Sequence, residues 1–397
     1  MATFTARFLG CKVSFADAQA IRERLLADGH TEVDDGGDIA VVNTCCVTHE
    51  AVSKSRQAVS RAARRNGRVY VTGCAANLAG AFSGASSNVH VVGGASEDAP
   101  PTIAGAVGAI GCVRAEHRLD RVRAFVKIQD GCSFGCRFCV IPQVRGATRS
   151  RRAAAVLAEV ERRVAQGHRE VVLTGVNLGC FRDRAAGYRL ERLVREVGAI
   201  PGLQRLRLSS IEVNHLDAAL VAALRETPTV ARHLHVPLQS GDDAVLRGMG
   251  RRYTVAGFLG KVDPLDDFNL TSDVIVGFPG ETEAAFENTL QAVRAARITK
   301  VHVFPYSPRP GTETAASDTV PVPAKKERSA RLRALSADAC RERWEQKLGG
   351  EDTVLVDRPG RGYADDYTPW LLDAPVGALV RARATGVSEE GILAVCA

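Results

Sequence analysis

Short apolar runs alternating with longer mixed stretches set the rhythm of this 397-residue chain. Residues 4–9 (FTARFL), 39–42 and 69–72 read as strands, and 15–27 and 53–65 as helices. The order strand, helix, strand, helix, strand predicts a parallel sheet with right-handed crossovers. The alternation resumes with strand-like runs at 124–128, 170–173, 205–208, 233–236, 272–276 and 300–304. Six such units predict a partial (βα)6 barrel whose active residues sit on the loops after the strands. Between the two regions, 80–115 is rich in Gly, Ala and Ser and reads as the end of the first unit plus a linker. Further on, 324–348 reads as a charged connecting helix with Leu332, Leu335 and Ala339 on one apolar stripe. Residues 350–397 read as short β runs with turn chemistry near Gly362 and Asp365–Asp366. The expected fold class is α/β in three parts, 1–110, 118–347 and 348–397.

Cysteines stand where this pattern places function. Each of the first three strands runs into one: Gly10–Cys11, Asn43–Thr44–Cys45 and Gly73–Cys74. Carboxyl ends of parallel strands share one sheet edge, so Cys11, Cys45 and Cys74 are expected to converge. Together they suit a cluster with three protein ligands and one open iron; the plainer alternative is three small core residues. Cys46 blurs the assignment, and Cys45 is preferred because the strand points to it. A second triad, Cys132, Cys136 and Cys139, lies in DGCSFGCRFC (130–139) directly after the run at 124–128. Three thiolates on one loop can hold three irons of a cubane cluster and leave the fourth open for chemistry. Buried free thiols are an alternative. A zinc knuckle is another, although the nearest further ligand, His168, lies beyond a predicted helix.

The C-x3-C-x2-C spacing resembles the cluster loop of radical S-adenosylmethionine (radical SAM) enzymes. The words GCKVS, NTCCVT and VTGC resemble the three cysteine motifs of the methylthiotransferases. Ser14 stands where that family usually has Asn, and Cys46 where it usually has no cysteine. The resemblance implies two 4Fe–4S clusters, on Cys132/Cys136/Cys139 and on Cys11/Cys45/Cys74, with SAM chelated by the open iron of the first. Small and polar residues after successive barrel strands are then expected to hold SAM: Thr174, Gly175 and Asn177, Ser210 and Glu212, and Gln239. Read singly, each is as well explained as a cap or turn residue. The resemblance further implies reductive cleavage of SAM to a 5′-deoxyadenosyl radical. A second SAM methylates a sulfur on the other cluster, and the methylthio group passes to the substrate radical. VNLG (176–179), LSSIE (208–212) and HVFPYSPRPGT (302–312) are most similar to the tRNA branch acting on N6-threonylcarbamoyladenosine. Rival branches act on isopentenyladenosine in tRNA or on an aspartate of a ribosomal protein. From a different class, a non-catalytic iron–sulfur protein that binds RNA or stores sulfur is also an expectation to test.

Charge and composition sharpen the expected partner. The net charge of +7 conceals an uneven distribution: residues 108–349 carry 38 basic and 27 acidic side chains, whereas 350–397 carry 4 and 8. The excess in the middle suits a polyanion such as tRNA. Arg145, Arg149 and Arg151, with Arg152, are candidate phosphate contacts after the cluster loop, and Arg61, Arg64, Arg65 and Arg68 form a second basic face. The last segment resembles the small TRAM β-barrel; its net acidity leaves Arg381, Arg383 and aromatics such as Tyr363, Tyr367 and Trp370 as the expected RNA contacts, the alternative being a module that serves mainly for packing. Eleven cysteines without a signal-like start or a membrane-length apolar run predict a cytoplasmic protein that uses thiols for metal, not disulfides. An electron donor of flavodoxin or ferredoxin type is implied; the sulfur donor is not readable. Cys112, Cys180, Cys340 and Cys396 have no partner spacing and are expected to be dispensable free thiols.

Overall fold

The computed structural model describes residues 1–108 and 122–397. Cys112 and the last part of the expected linker lie outside the described residues. The N-terminal region is a five-stranded, wholly parallel sheet in the order β2-β1-β3-β4-β5, built from β1 (Thr3–Phe8), β2 (Thr31–Glu32), β3 (Ile39–Thr44), β4 (Arg68–Gly73) and β5 (Val89–Val91). The central β3 is buried along its whole length, as a parallel strand covered on both faces must be. Ile39 and Val41 meet Phe4, Ile21, Leu25 and Ile103 on one face, while Ala40 and Val42 meet Val59, Ala62 and Val71 on the other. The helices are α1 (Lys12–Ala27), α2 (His49–Ala63) and α3 (Ala99–Val107).

Within the stretch read as the end of the first unit plus a linker, residues 80–108 belong to the first unit: β5 pairs with β4, Val69 opposite Val89 and Val71 opposite Val91, and α3 buries Ile103 beneath α1. The composition misleads because α3 carries Pro100 and Pro101 in its first turn, where a missing N–H costs nothing.

The six barrel strands appear at Arg123–Lys127, Glu170–Thr174, Arg205–Leu208, His233–His235, Asn269–Val276 and Ile298–Pro305. They form two three-stranded parallel sheets joined by parallel bridges Leu206–Val230 and Ser210–His235, which gives an open partial barrel in sequence order. The helix Val322–Glu345 packs along the sixth strand through Leu332, and its Ser336 hydroxyl accepts the Val301 N–H at 2.9 Å. It leads into a closed five-stranded barrel, Glu351–Cys396, filled by Val354, Val356, Trp370, Ala382 and Ile392. No helix among the described residues is long and apolar enough to cross a membrane.

The small barrel is held under the large one by charge. Glu170, fully buried at the start of the second barrel strand, forms an ion pair with Arg123 at 3.0 Å and accepts from Arg207 at 2.9 Å and Arg205 at 3.2 Å. These arginines spend their remaining donors on the small barrel. Arg207 reaches the carbonyls of Ala364 and Asp365, Arg205 those of Thr353 and Tyr363, and Arg123 reaches Asp357 and the Tyr367 hydroxyl. Tyr367 stacks between His233 and Tyr363 with Arg207 over its ring, and Trp370 is a core residue donating to Thr368. The expected RNA-facing aromatics are therefore engaged in structure: Trp370 is buried, and half-buried Tyr367 and Tyr363 are held in the stack at the joint.

Burial pushes the Glu170 carboxyl up, the three guanidiniums pull it down further, and the balance leaves it below the ordinary carboxylate value. Stability drawn from this group is present above the unfolded carboxylate range and is lost as the pH falls below it. Glu170→Ala strands three cations at the joint and is expected to lower the chemical denaturation midpoint by the equivalent of roughly 3–5 kcal/mol. A midpoint equal to the parent's would refute this account of the joint.

Candidate active site

The three strand-end cysteines of the N-terminal sheet are placed by register. Phe8 pairs with Asn43 and Asn43 with Thr72, so the chain leaves β1, β3 and β4 at one level and carries Cys11, Cys45 and Cys74 to one edge. Two glycines make the approach. Gly73 has φ +87°, and a Cβ there would meet the Asn43 side chain at 2.5 Å; Gly10 has φ +120°, and a Cβ there would meet the Cys45 Cβ at 3.0 Å. Only glycine fits such positions without strain. Ser55 anchors Cys45 by accepting its N–H and donating to its carbonyl, each at 3.1 Å. Ser14, the departure noted above, sits 3.9 Å from the Cys11 sulfur.

Cys74 is buried and accepts the Arg145 Nε–H at 3.0 Å. A hydrogen bond from Cys46 and the adjacent guanidinium hold its thiol below the ordinary value against the cost of burial. Such a site favours the thiolate that metal ligation needs. Cys46 is fully buried, its sulfur directed to Cys74 and packed with Val140 and Val144. Cys45, by contrast, lies against Gly10 and the Cys11 turn, and burial pushes its thiol up to about 11.

The second triad follows the first barrel strand. Gly131, at φ +66°, lets the loop pass within 2.1 Å of where a Cβ would meet the Ala147 carbonyl. Cys136 accepts from Arg251 at 3.4 Å, and burial pushes the Cys139 thiol up to about 12. Thiols raised by burial, as those of Cys132 and Cys139 are, gain from a bound cation, and three cysteines on one loop fit an iron cluster better than they fit packing.

The expected SAM residues gather beside this loop. Gly175 packs on Gln129, and the Asn177 N–H donates to the Gln129 side-chain oxygen at 2.8 Å. Gln129 Nε2 donates in turn to the carbonyls of Asp130 and Gly131. Thr174 Oγ1, Asn177 Oδ1 and Ser209 Oγ are buried without a hydrogen-bond partner, the condition expected of groups that await a polar ligand. The backbone of Ser210 takes part, its carbonyl accepting Leu178. Glu212 is already engaged by Arg251 and Asn214. Gln239, in the left-handed region at φ 66°, borders a cavity beside Asp273.

That cavity, about 160 Å³, separates the two cysteine loops. Val47 and Thr48 from the N-terminal sheet, Phe138–Ile141 from the cluster loop, and Tyr306 and Arg309 from the sixth barrel strand end line it. Arg309 is buried and donates to the Cys46 carbonyl at 3.3 Å. Gln129, Arg251 and Arg309 are functional neighbours that the sequence reading passed over. Gln129 alone carried a local signal, as the polar residue that ends a strand immediately before a cluster loop.

The expected phosphate contacts fare differently. Arg145 is enclosed, bonded to Asp130 and Asp17 at 3.0 Å each, so it braces the two loops and has no surface to offer RNA. Arg149 and Arg151 are partly exposed, facing Glu97 and Glu159. Arg381 and Arg383 are exposed on the small barrel, both against Glu351.

Comparison with known proteins bears on this geometry. Residues 126–293 match the Radical SAM superfamily, and residues 3–93 match the Uncharacterized protein family UPF0004. The chain is 36% identical over 371 residues to the threonylcarbamoyladenosine tRNA methylthiotransferase MtaB of Bacillus subtilis, covering 86% of this chain and 82% of that one. It is 32% identical to the MtaB of Thermotoga maritima, with 99% and 96% covered. It is also 32% identical to the tRNA-2-methylthio-N(6)-dimethylallyladenosine synthase of Paracoccus denitrificans, with 98% and 95% covered. The solved radical S-adenosylmethionine methyltransferase TsrM from Kitasatospora setae superposes with a TM-score of 0.57 at 15% identity, over 79% of this chain and 77% of that one. At that identity the likeness is one of fold.

Arg145→Ala removes the donor to Cys74 and leaves Asp17 and Asp130 without this partner. Anaerobic reconstitution of this variant is expected to retain iron and sulfide short by one cluster, while Arg149→Ala retains the parent's content. Full iron in Arg145→Ala would remove the bracing role.

Proposed function

Because the chain belongs to the radical SAM tRNA methylthiotransferase family, we propose that it adds a methylthio group to C2 of N6-threonylcarbamoyladenosine at position 37 of tRNA. Its cofactors are SAM and 4Fe–4S clusters. The observation that carries the reading is the shared cavity: both cysteine loops border one open-sided cleft, so a substrate carbon placed there lies within reach of both. When bound, the cofactors supply the 5′-deoxyadenosyl radical that removes hydrogen from an unactivated carbon, together with the sulfur that is transferred.

The chain's own residues bind, orient and exclude water. Cys132, Cys136 and Cys139 hold the cluster that engages SAM; Cys11, Cys45 and Cys74 hold the auxiliary one. Gln129 locks the cluster loop to the turn carrying Thr174, Gly175 and Asn177, which presents that turn's unpaired polar atoms to SAM. Phe138, Val140, Ile141, Ile275 and Phe304 line the cavity with apolar surface that keeps water from a reactive radical. For the substrate, VNLG, LSSIE and HVFPYSPRPGT support the threonylcarbamoyl form, as do the names of the relatives from Bacillus and Thermotoga. The Paracoccus relative supports the isopentenyl form as the second reading.

The same reading divides the chain at 1–110, 118–347 and 348–397, takes the closed C-terminal barrel as a TRAM module, places the protein in the cytoplasm, and gives it an electron donor of flavodoxin or ferredoxin type.

Two measurements test it. Cys136→Ala is expected to abolish 5′-deoxyadenosine formation, whereas Cys74→Ala retains SAM cleavage and makes no methylthio product. Parent-level product from Cys74→Ala would leave the first triad without a role. Mass spectrometry of tRNA nucleosides from cells with and without the gene is expected to show loss of methylthio-threonylcarbamoyladenosine. If the methylthio group disappears from isopentenyladenosine alone, the second reading replaces the first.

A further inference from the structure

Beside the cavity between the cysteine loops, the last three barrel strands bring together half-buried His235 and Asp273 and the exposed His302, a cluster of donors with no role assigned above. His235 lies on the fourth strand, Asp273 on the fifth and His302 on the sixth. Register brings them together: Asp273 pairs directly with His302, while His235 pairs with Thr271, two residues before Asp273 and on the same face. His235 Nε2 lies 3.2 Å from Asp273 Oδ2, and one donor atom from each of the three residues falls within 4.8 Å of the others. The imidazoles of His235 and His302 are tilted, with centroids 5.6 Å apart.

An outer layer fixes the ring of His235. Its Nδ1 is 3.0 Å from the Thr271 hydroxyl, which is 3.1 Å from Nε2 of the buried His233. A hydroxyl can accept from one imidazole and donate to the other. If it accepts from His235 Nδ1–H, the Nε2 of His235 is a bare lone pair aimed at the Asp273 carboxylate. That pairing needs a cation between them. A hydrogen bond from one ring nitrogen that leaves the other free is how metal-binding histidines are oriented. A single shared proton would satisfy His235 and Asp273 as a pair; His302, the exposed member of the three, supplies a third donor atom within reach of both. Ligands about 2.1 Å from a tetrahedral zinc ion stand roughly 3.4 Å apart, close to the His235–Asp273 separation.

We propose that His235, Asp273 and His302 bind a divalent transition-metal ion of the zinc class, distinct from the iron–sulfur clusters. Two imidazoles and one carboxylate suit such an ion and leave coordination positions open. Asp273 borders the cavity shared by the cysteine loops, while His235 and His302 border a second cavity of about 390 Å³ between the two barrels. The ion therefore sits on the partition between them. The arrangement stands on side-chain geometry and does not depend on which nucleoside is modified.

The test uses the fully cluster-loaded chain with its clusters in the oxidised, diamagnetic state. After treatment with chelating resin, the protein is incubated anaerobically with one equivalent of Zn²⁺ and desalted, and zinc and iron are counted by elemental analysis. Mn²⁺ binding is followed separately through loss of the free-ion electron paramagnetic resonance signal. The parent is expected to keep one zinc in addition to its full iron, and Zn²⁺ is expected to displace bound Mn²⁺. Asp273→Asn and His302→Gln are expected to weaken retention at least tenfold with iron unchanged. No zinc on the parent, or equal retention by both variants, would overturn the proposal. If one variant loses iron, the other decides the outcome.

Discussion

One guanidinium determines how the two cysteine loops stand relative to each other. Arg145 belongs to the short helix after the radical SAM loop, yet it bonds to Cys74 and Asp17 of the N-terminal sheet and to Asp130 at the start of its own loop. Lys127, from the first barrel strand, completes the cluster by pairing with both aspartates. Charges this deeply enclosed are tolerated only when paired in good geometry, so the network allows few alternative positions for its members. Asp17 rides on α1 one turn and a half from Cys11, and Asp130 stands two residues before Cys132. Fixing these groups fixes the separation of the two cysteine triads.

A second ionic knot, around Glu170, does the same for the small barrel at the opposite end. Both knots use arginine, and chemistry explains the choice. A planar fork with five donors on three nitrogens reaches a carboxylate and two backbone carbonyls along separate fixed directions, whereas an ammonium group radiates its three donors from a single atom. Arg207 illustrates it by bridging Glu170 to the carbonyls of Ala364 and Asp365. The three parts of the chain are thus joined by directional bonds that specify position, alongside apolar contacts such as Phe15 with Phe125.

What could be read in the sequence was what the backbone imposes. Alternating runs gave all six barrel strands, and glycine–cysteine pairs at strand ends marked the ligand loops because close approach and positive φ leave few other residues possible. The contents of 80–108 were missed because β5 is only three residues long and α3 begins with prolines, so neither shows the periodicity on which such reading relies. The partners of Arg145 lie 15, 71 and 128 residues away in the chain, and no local pattern encodes a contact at that distance.

Charge was legible in total and misleading in detail. The basic excess of the middle region pointed to a polyanion, and RGATRSRR looked like a phosphate grip, but its four arginines have four different fates. Arg145 is interior, Arg149 caps the carbonyls of its own turn, Arg151 bonds to Lys127 and Glu159, and Arg152 alone stands largely in solvent, over Asp183. Attraction of tRNA depends on protein cations free to neutralise phosphates and so to release the counterions condensed on the RNA. An arginine already neutralised inside the fold contributes to the net charge without contributing to that release. The count that matters for RNA is therefore taken over exposed, weakly paired side chains, and the fold decides which those are.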